Sequence, residues 1–362
     1  MKCSALSERP HALWQVGSRI GFRAFTIVMA KLIYVDDSLP GLTRKRAGRG
    51  WAYYTPEGAL VTDRAERRRL TAIGLPPAYV DTWFCPAANG HILATGYDAR
   101  GRKQYRYHPQ FRAARESEKF DGCAHFGALL PLVRKRVEED LAARTLTRER
   151  AVASVVRLLD LGAIRIGNEC YAKDNRSFGA TTLRRRHAQI KGRTLQLRYK
   201  GKSSKVRELR LTDAGLVRVV RRMQDLPGQH VFKYHDADGA VQNVGSHDVN
   251  DYLRETMGED FTAKNFRTWH GSVLALKCLL DRPDDPPALT EMLAAVADHL
   301  GNTPAVARRS YIHPAVVDMA KCAAPERSAI KLPRASKWLS PHERALITLL
   351  ADSPSASELL AE

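Results

Sequence analysis

The sequence predicts an α+β protein with a small antiparallel β-rich N-terminal domain and a longer, mainly helical domain that contains a β-hairpin. Two observations support this fold class. Residues 31–112 consist of short apolar and aromatic runs separated by Gly, Pro and Asn, a spacing typical of small antiparallel sheets. After Phe120 the apolar residues recur every three or four positions, which is the period of an amphipathic helix. At 362 residues the chain is long enough for two or three domains.

The N-terminal stretch shows no sustained pattern. Residues 1–28 contain no convincing signal-peptide cleavage site, and Met29 directly precedes an apolar run at 31–35 that predicts the first strand. We therefore interpret Met29 as the native start and residues 1–28 as an extension, either a translation artefact or a disordered segment. The predicted domains are then 29–115 for the β-rich part and 116–362 for the helical part.

The charge balance is strongly basic. Lys and Arg number 58 against 39 Asp and Glu, which gives a formal net charge of +19. This excess indicates a polyanionic partner and favours nucleic acid over an anionic membrane surface, with a merely basic soluble protein as the alternative. No apolar run approaches the ~20 residues of a membrane-spanning helix, so no membrane association is expected.

The six cysteines are scattered, with no C-x-x-C pair and no Cys/His cluster at zinc spacing. We expect reduced thiols, a cytoplasmic protein and no metal site. The sequence contains no G-x-x-x-x-G-K-[ST] loop, so there is no sign of nucleotide hydrolysis and no cofactor is expected.

The β-rich part contains predicted strands at 50–54, 83–85 and 91–95 and a predicted helix at 63–73. It ends in a segment that mixes cations, an amide and tyrosines: Arg102, Lys103, Gln104, Tyr105, Arg106 and Tyr107. Alternation along a strand puts the two tyrosines on one face and Arg106 on the other. Cations can hold phosphates while Gln and Tyr approach bases or sugars. The segment is therefore either a nucleic-acid contact or a half-buried strand with two core tyrosines.

The helical part begins with predicted helices at 129–141 and 152–159, whose apolar stripes belong to the core. The second helix runs into Arg165, which lies between two isoleucines. A guanidinium in such an apolar setting needs a partner. A buried ion pair with Glu169 is one explanation, and a functional role is the other.

A turn-rich link at 171–183 leads to a predicted β-hairpin at 194–211 with Lys202 near its tip. A lysine at a tip is usually a solvated charge, but it can also reach into a groove and deliver a proton. The hairpin is followed by predicted helices at 213–223, 247–257 and 341–351 and by a short β excursion at 232–241.

A tyrosine near the C-terminal end has an unusual setting. Pro304 suits the first turn of a helix, Thr303 is its predicted N-cap, and Gly301 ends the helix before it. Tyr311 then lies about two turns along. A tyrosine is a poor nucleophile unless cations stabilise its phenolate. Arg308 and Arg309 lie beside it in the sequence and are the candidates for such cations, and an ordinary partly buried tyrosine on a basic helix is the alternative. Arg267 also lies beside aromatic residues, at another helix start.

The residues with the most distinctive chemistry are Arg165, Lys202, Arg267, Asn302 and Tyr311. With their flanking motifs they resemble the type IB DNA topoisomerases of the compact poxvirus-like and bacterial kind. The resemblance covers residues 31–314 and rests on Gly101-Arg-Lys-Gln-Tyr-Arg-Tyr-His-Pro109, Ile164-Arg-Ile-Gly-Asn-Glu169, Thr181-Thr-Leu183, Gly201-Lys202, Lys264-x-x-Arg-Thr268 and Gly301-Asn-Thr-Pro-x4-Arg-Ser-Tyr311. Each motif is weak alone, but all of them in this order are not expected by chance.

The resemblance implies a tyrosine-recombinase/topoisomerase IB-like catalytic fold that clamps duplex DNA as a monomer. It implies that Tyr311 forms a 3′-phosphotyrosyl link and frees a 5′-hydroxyl, and that strand rotation then relaxes supercoils of both signs before religation. It further implies DNA contacts by Gln104, Tyr105, Tyr107 and Tyr171, beside the phosphate-holding Arg102 and Lys103. A bacterial, nucleoid-associated protein that needs neither ATP nor metal is expected.

The chemistry of these side chains agrees with such roles. Arg165 and Arg267 can clamp the phosphate oxygens in the transition state, and Lys202 can protonate the leaving 5′-oxygen, with Arg165 sharing this duty through a relay. Asn302 departs from the poxvirus pattern, which has histidine there. An amide can donate to the phosphate but cannot take a proton from Tyr311, so oxyanion stabilisation is its expected role.

Two alternatives remain from the sequence. A tyrosine recombinase shares the catalytic chemistry, but recombinases usually carry His-x-x-Arg where this chain has Lys264-x-x-Arg267, and their N-terminal arms tend to be helical. A non-catalytic basic DNA-binding protein is the second alternative, and it would not need the complete set of Arg, Lys, Arg, Asn and Tyr.

Overall fold

The computed structural model of the protein describes residues 32–282 and 284–360. The predicted extension at 1–28 lies outside the described residues. The chain divides into two compact units, the first ending at Phe111 and the second beginning at Arg112. Each unit has its own hydrophobic core.

Unit 1 is built mainly from antiparallel strands. Its elements are β1 (Thr43–Ala47), β2 (Gly50–Tyr54), α1 (Arg64–Ala72), β3 (Val80–Phe84), β4 (Ile92–Tyr97) and β5 (Lys103–Tyr107). β1 and β2 form a hairpin, and β3, β4 and β5 form a three-stranded sheet in that order. In the core, Phe84 meets Tyr53 edge to face at 5.4 Å beside Leu70 of α1. The predicted small antiparallel domain is confirmed.

The predicted strand at 31–35 is wrong. Among the described residues of that run, only Ile33 pairs, through a single bridge to Gly90. Tyr34 is 80% exposed and its ring lies 4.7 Å from that of His91. The aromatic residue of this run is thus used for ring packing at the surface, not for strand pairing.

One turn sequence, Asp-Ala-x-Gly-x-x-Gln, occurs in both units, at 98–104 and at 236–242. In each turn the aspartate carboxylate accepts from the backbone N–H groups two and four residues on and from the side-chain amide of the glutamine, at 2.8–3.1 Å. Gly101 and Gly239 have φ of +70° and +79°, a region that glycine enters without strain. The same local sequence therefore gives the same turn twice.

Unit 2 is mainly helical, and the first three residues of its first helix precede the boundary. The helices are α2 (Pro109–Ala142), α3 (Arg148–Gly162), α4 (Glu169–Asn175), α5 (Ala214–Gln224), α6 (Ser246–Met257), α7 (Ala263–Leu280), α8 (Leu289–Leu300), α9 (Pro304–Tyr311), α10 (Pro314–Met319), α11 (Ala324–Ser328), α12 (Pro341–Ala351) and α13 (Ala356–Leu359). The predicted helices correspond to α2, α3, α5, α6 and α12. No helix within the described ranges is long and apolar enough to span a membrane.

The strands of unit 2 are β6 (Ala188–Lys191), β7 (Thr194–Lys200), β8 (Val206–Thr212), β9 (Lys233–His235) and β10 (Val241–Asn243). β6, β7 and β8 form an antiparallel sheet in that order, and β9 pairs with β10. The predicted hairpin is β7–β8 and the predicted β excursion is β9–β10. Sequence analysis missed β6, and it also missed α4 at the start of the predicted turn-rich link.

A buried ionic network connects four helices of unit 2. Arg134 of α2 donates to Asp160 of α3 at 2.8 Å and to Glu343 of α12 at 2.7 Å. Glu343 also accepts from Trp269 Nε1 of α7 at 3.2 Å. Burial alone would raise the pKa of Glu343, but Arg134 holds this pKa below its ordinary value. Helix α12 is therefore held against α7, which also carries Arg267.

Candidate active site

Tyr311 is the last residue of helix α9, and the chain before it folds as its sequence predicts. Gly301 ends α8 with a left-handed φ of +64°. Thr303 is the N-cap of α9, where its hydroxyl accepts from the backbone N–H of Val306, and Pro304 lies in the first turn. The tyrosine side chain is partly buried. The end of α8 at Gly301 and the start of α9 at Thr303 and Pro304 thus place Tyr311 at the last turn of α9.

Close packing against α7 fixes the backbone of Tyr311. A Cβ on Gly271 would lie 2.4 Å from the carbonyl oxygen of Tyr311, so only glycine allows this approach. The next residue, Ser272, is fully buried, and its hydroxyl accepts from the backbone N–H of His313 at 2.9 Å. The C-terminal end of α9 is held by these contacts, and not only by its own helix.

Lys119 of α2 is a further neighbour that sequence analysis missed. Its Nζ donates to the carbonyl of Ser310 at 2.9 Å. Burial and the charge of Lys264 lower the pKa of Lys119 to about 8. The two bonded residues are 191 positions apart and no local motif marks the lysine, so this contact could not be predicted.

Arg267 is buried beneath the tyrosine ring. Its guanidinium carbon lies 4.7 Å from the centre of the Tyr311 ring. Nη1 donates to the carbonyl of Ala163, and Nη2 donates to the carbonyl of Leu300 at 2.9 Å. Its Nε has no hydrogen-bond partner among the described residues. Burial, reinforced by the charge of Arg165, lowers the pKa of Arg267 to about 10, so the group remains cationic at neutral pH.

Burial and nearby charges shift the pKa of Tyr311 in opposite directions. Burial alone would raise its pKa, since ionisation would place a charge away from water. The charge and hydrogen bonding of Arg267, with the charges of Arg165 and Lys264, more than offset this and lower the pKa of Tyr311 below its ordinary value. The surrounding charges therefore make the phenol easier to ionise to the phenolate, which is the nucleophilic form.

Arg165 and Asn302 form a direct pair. Arg165 Nη2 donates to Oδ1 of Asn302, which leaves the amide nitrogen to face the other way. Nδ2 of Asn302 is buried and has no partner within the described part of the chain. A buried donor without an acceptor is rare, and here it lies in the turn that leads to Tyr311.

The suggested ion pair between Arg165 and Glu169 does not form. Glu169 instead accepts from Arg184 at 3.0 Å and lies 2.7 Å from Nε2 of His230. The four-residue spacing that suggested the pair does not apply, because Arg165 precedes α4 and is not on the same helix as Glu169. The partner of Arg165 is therefore Asn302, another residue of the predicted set.

Lys202 is the member of the predicted set that lies apart. It begins the short turn Lys202–Ser204 between β7 and β8, and it is exposed. Ser203 and Ser204 in this turn have φ of +60° and +58°. In the described residues the lysine side chain has no hydrogen bond or ion pair. The structure thus brings together Tyr311, Arg267, Arg165 and Asn302 and leaves Lys202 on an exposed hairpin tip.

The predicted DNA contacts of unit 1 lie on β5 and the turn before it. Tyr105 and Tyr107 stack at 5.8 Å with an interplanar angle of 11°, and they are 42% and 39% exposed. Arg106 on the opposite side of the strand donates to the carbonyl of Gly74. The two tyrosines therefore form one exposed aromatic surface and are not core residues.

Acidic residues hold the polar side chains of the same segment. Asp98 accepts from Arg102 Nε at 2.9 Å and from Gln104 Nε2 at 3.1 Å, and Arg102 is the largest cause that lowers the pKa of Asp98 to about 2. Lys103 pairs with Asp37 at 2.7 Å. Sequence analysis missed Asp98, although the repeated turn sequence marks it. Tyr171 lies in α4, and its side chain is outside the described part of the structure.

No cluster of three or more His, Cys, Asp or Glu side chains that could hold a metal ion occurs in residues 32–282 and 284–360. The cations and amide around Tyr311 are suited instead to an anionic group. Arginine side chains and amide N–H groups are the usual partners of phosphate oxygens in proteins. The arrangement can therefore bind a phosphodiester next to a nucleophilic phenol.

Comparison with known proteins agrees with this chemistry. Residues 108–328 match the model of the catalytic core of eukaryotic DNA topoisomerase I, and residues 50–98 match that of the N-terminal domain of bacterial DNA topoisomerase IB. DNA topoisomerase 1B of Acanthamoeba polyphaga mimivirus is 27% identical over 287 residues, covering 76% of this chain and 85% of the viral protein. DNA topoisomerase 1B of vaccinia virus (strain Copenhagen) is 20% identical over 250 residues, 67% of this chain and 76% of the viral one.

Among solved structures, the XerH site-specific recombinase bound to its palindromic difH substrate overlaps half of the chain. The TM-score is 0.33 and the identity 15%, over 50% of this chain and 47% of the recombinase. The match to the topoisomerase catalytic core covers more than half of the sequence and includes the motifs around Arg165, Lys202, Arg267, Asn302 and Tyr311. The chain therefore belongs to the type IB DNA topoisomerase family and is an enzyme of that class.

Proposed function

We propose that this topoisomerase relaxes positive and negative supercoils by cutting one DNA strand with Tyr311 and rejoining it. The phenolate attacks the phosphorus, the bond from phosphorus to the 5′-oxygen breaks, and a 3′-phosphotyrosyl link and a free 5′-hydroxyl result. The single observation that carries the proposal is the setting of Tyr311, whose ring lies on the buried Arg267 guanidinium. Rotation of the free end about the intact strand then releases torsion before the reverse reaction restores the strand.

The activation of Tyr311 is attributed to fixed charge. Its lowered pKa results from Arg267, Arg165 and Lys264 acting against the effect of burial. Asn302 cannot act as the base, since its amide nitrogen has no basic lone pair and its oxygen already accepts from Arg165. The phenolic proton therefore passes to solvent or to the DNA, and Asn302 acts on the phosphate.

Stabilisation of the transition state is assigned to three groups. Negative charge develops on the nonbridging oxygens as the phosphorus becomes five-coordinate, and positioned donors stabilise it strongly away from water. The unpartnered Nδ2 of Asn302 and Nε of Arg267 are available for this purpose. Arg165, whose contact with Asn302 uses only one N–H of its guanidinium, supplies the remaining donors.

The leaving 5′-oxygen is proposed to take its proton from Lys202, with Arg165 as part of the relay. An alkoxide is a poor leaving group, so a positioned acid accelerates its departure. The exposed tip on which Lys202 lies allows it to reach a bound strand. The reverse step uses the same groups, since the neutral lysine then accepts the proton of the attacking 5′-hydroxyl.

Neither ATP nor a divalent ion has a required role in this scheme. The arginines and lysine carry the charge that a metal would otherwise balance, and the phosphotyrosyl link retains the energy of the broken phosphodiester. The proposed substrate is duplex DNA, contacted in unit 1 by the tyrosine surface of β5 and by Arg102, Lys103 and Gln104, and in unit 2 by Tyr171. We further propose a bacterial, monomeric enzyme that acts on the nucleoid in the cytoplasm.

The test is relaxation of positively and negatively supercoiled plasmid in EDTA and without ATP. Wild type should relax both, and Tyr311→Phe should bind the plasmid equally well without relaxing it, because only the phenol oxygen is lost. Trapping with detergent should leave the protein attached to a 3′-end. Relaxation by Tyr311→Phe would exclude this tyrosine as the nucleophile. Binding without relaxation by wild type would favour a recombinase or an inert binder.

A further inference from the structure

Arg207 lies at a position of β8 where the strand pattern calls for an apolar residue. Along Val206–Thr212 exposed and half-buried positions alternate, and Arg207 shares the half-buried face with Leu209 and Leu211. Both leucines pack against the core of unit 2. A guanidinium on such a face needs hydrogen-bond partners to offset its burial.

Those partners are carbonyls in the last turn of helix α8. Arg207 Nη1 donates to the carbonyl of Asp298 at 2.8 Å, and Nη2 donates to that of His299 at 2.6 Å. Carbonyls at the C-terminal end of a helix lack helical partners and carry partial negative charge. The guanidinium therefore caps α8 with two planar donors, a geometry that lysine cannot reproduce.

The turn between α8 and α9 also contacts the hairpin. A Cβ on Gly301 would lie 2.8 Å from Nη1 of Arg207, so the glycine lets the guanidinium lie against the turn. Lys205 Nζ donates to the carbonyl of Asn302 at 3.2 Å. Two cations of the hairpin thus hold consecutive parts of the segment that leads to the nucleophile.

These contacts connect two parts of the active site that are distant in sequence. The β7–β8 hairpin carries Lys202, and the α8–α9 turn carries Asn302 and leads to Tyr311. We propose that Arg207, assisted by Lys205, is a positioning residue that sets the Lys202 hairpin in register with the Asn302–Tyr311 segment. Lys202 then delivers its proton to the 5′-oxygen as the Tyr311 oxygen bonds to phosphorus and the bond to the 5′-oxygen breaks. The inference rests on the proposed role of Lys202 as proton donor.

The test compares two leaving groups at one cleavage site. A strong site is first mapped on plasmid DNA by trapping the covalent complex, and a duplex oligonucleotide carrying it is made with either oxygen or sulfur as the bridging 5′-atom. A thiol is far more acidic than an alcohol, with a pKa of about 8.5 for cysteine, so a thiolate leaves without protonation. Sulfur therefore removes the need for Lys202 but not for Tyr311 or the phosphate clamp.

Arg207→Ala should slow single-turnover cleavage of the oxygen substrate by about 100-fold, the scale expected for a misplaced catalytic group. On the sulfur substrate it should remain within about threefold of wild type, since only proton delivery is impaired. Arg210→Ala is the matched control, because it removes the same charge from the exposed face of the same strand. It should leave both rates unchanged.

An equal loss on both substrates, or no loss on the oxygen substrate, would overturn the inference. Lys202→Ala separates this result from the underlying proposal. If sulfur fails to restore Lys202→Ala, the proton-donor role itself is wrong, whereas rescue of Lys202→Ala but not of Arg207→Ala rejects only the positioning role. Should thermal melting show that Arg207→Ala does not fold, Arg207→Lys gives the same comparison with a deficit of about tenfold.

Discussion

At the residue scale, contacts within the protein itself hold the groups around Tyr311. Arg267 has its two terminal nitrogens on the carbonyls of Ala163 and Leu300 and its face against the tyrosine ring. Such a guanidinium needs no reorganisation when charge develops on a phosphate, which is the condition under which electrostatic stabilisation is most effective. Arg165 is fixed in the same way by Asn302.

Asn302→Asp tests the donor role of the amide with almost no change of shape. The carboxylate still accepts from Arg165, but it has no N–H for the phosphate and it adds a repelling charge. Formation of the covalent complex should slow by at least about 10²–10³-fold, the loss typical of removing one oxyanion donor. Asn302→His keeps a ring N–H and should retain most of the rate. Equal rates for the two variants would contradict a donor role at this position.

Some of these residues could be predicted from the sequence, and others could not. Tyr311, Arg165, Arg267 and Asn302 lie in short motifs, and the structure brings them together. Lys119 and Arg207 could not be found in this way, because each acts on a backbone carbonyl, at separations of 191 and 91 residues. Every residue has a backbone carbonyl, so the residue type of the acceptor does not reveal the contact in the sequence.

At the element scale, sequence patterns predicted the longer helices, whereas they missed the short helix α4 and the strands β1 and β6. Helices such as α3 and α5 can be predicted from the apolar periodicity of their own residues. A strand is stabilised by pairing with another strand, and the local sequence does not show where that partner lies. For this reason β6 was missed and the expected strand at 31–35 was wrong. The order of β6, β7 and β8 is likewise a property of the folded unit.

The docking of α12 is an element-scale property that can be measured. Removing Glu343 leaves Arg134 buried with one carboxylate fewer, and breaking a buried pair typically destabilises by about 3–5 kcal/mol. Glu343→Ala should therefore lower the free energy of unfolding by about 3 kcal/mol in urea titrations at neutral pH. Glu138→Gln is the control, because its ion pair with Lys337 also links α2 to the C-terminal segment but is largely exposed. It should change stability by less than about 1 kcal/mol.

The same contact predicts a pH dependence. The pKa of Glu343 is lower in the folded protein than its ordinary value, so its stabilising effect is present above the ordinary carboxyl pKa of ~4.3. The effect is lost as the pH falls through the lowered value, since protonation then removes the charge that Arg134 binds. The stability difference between wild type and Glu343→Ala should shrink in that acidic range. A difference independent of pH would assign the effect to packing alone.

At the scale of the whole molecule, the excess positive charge lies mainly outside residues 1–28. Residues 1–28 contain four cationic and one acidic side chain, so +16 of the formal +19 remains in residues 29–362. Both family matches and all the catalytic candidates also lie beyond residue 28. The long-range attraction to DNA is therefore a property of the two units.

A protein that starts at Met29 should relax plasmid at the rate of the full chain and unfold at the same temperature. Its affinity for DNA should change little, because most of the charge is kept. The comparison requires relaxation and melting of both proteins at one salt concentration, since phosphate contacts make binding strongly salt-dependent. Loss of folding or of relaxation in the shorter protein would show that residues 1–28 are part of the native enzyme.

The buried amide of Asn302 has a consequence for how stability and activity are balanced in this molecule. A buried N–H without an acceptor destabilises a folded protein by about 1–3 kcal/mol, and the Nδ2 of Asn302 has no acceptor among the described residues. A residue chosen for stability alone would be apolar or fully hydrogen-bonded here. The donor at Asn302 is therefore a local trade-off between stability and function.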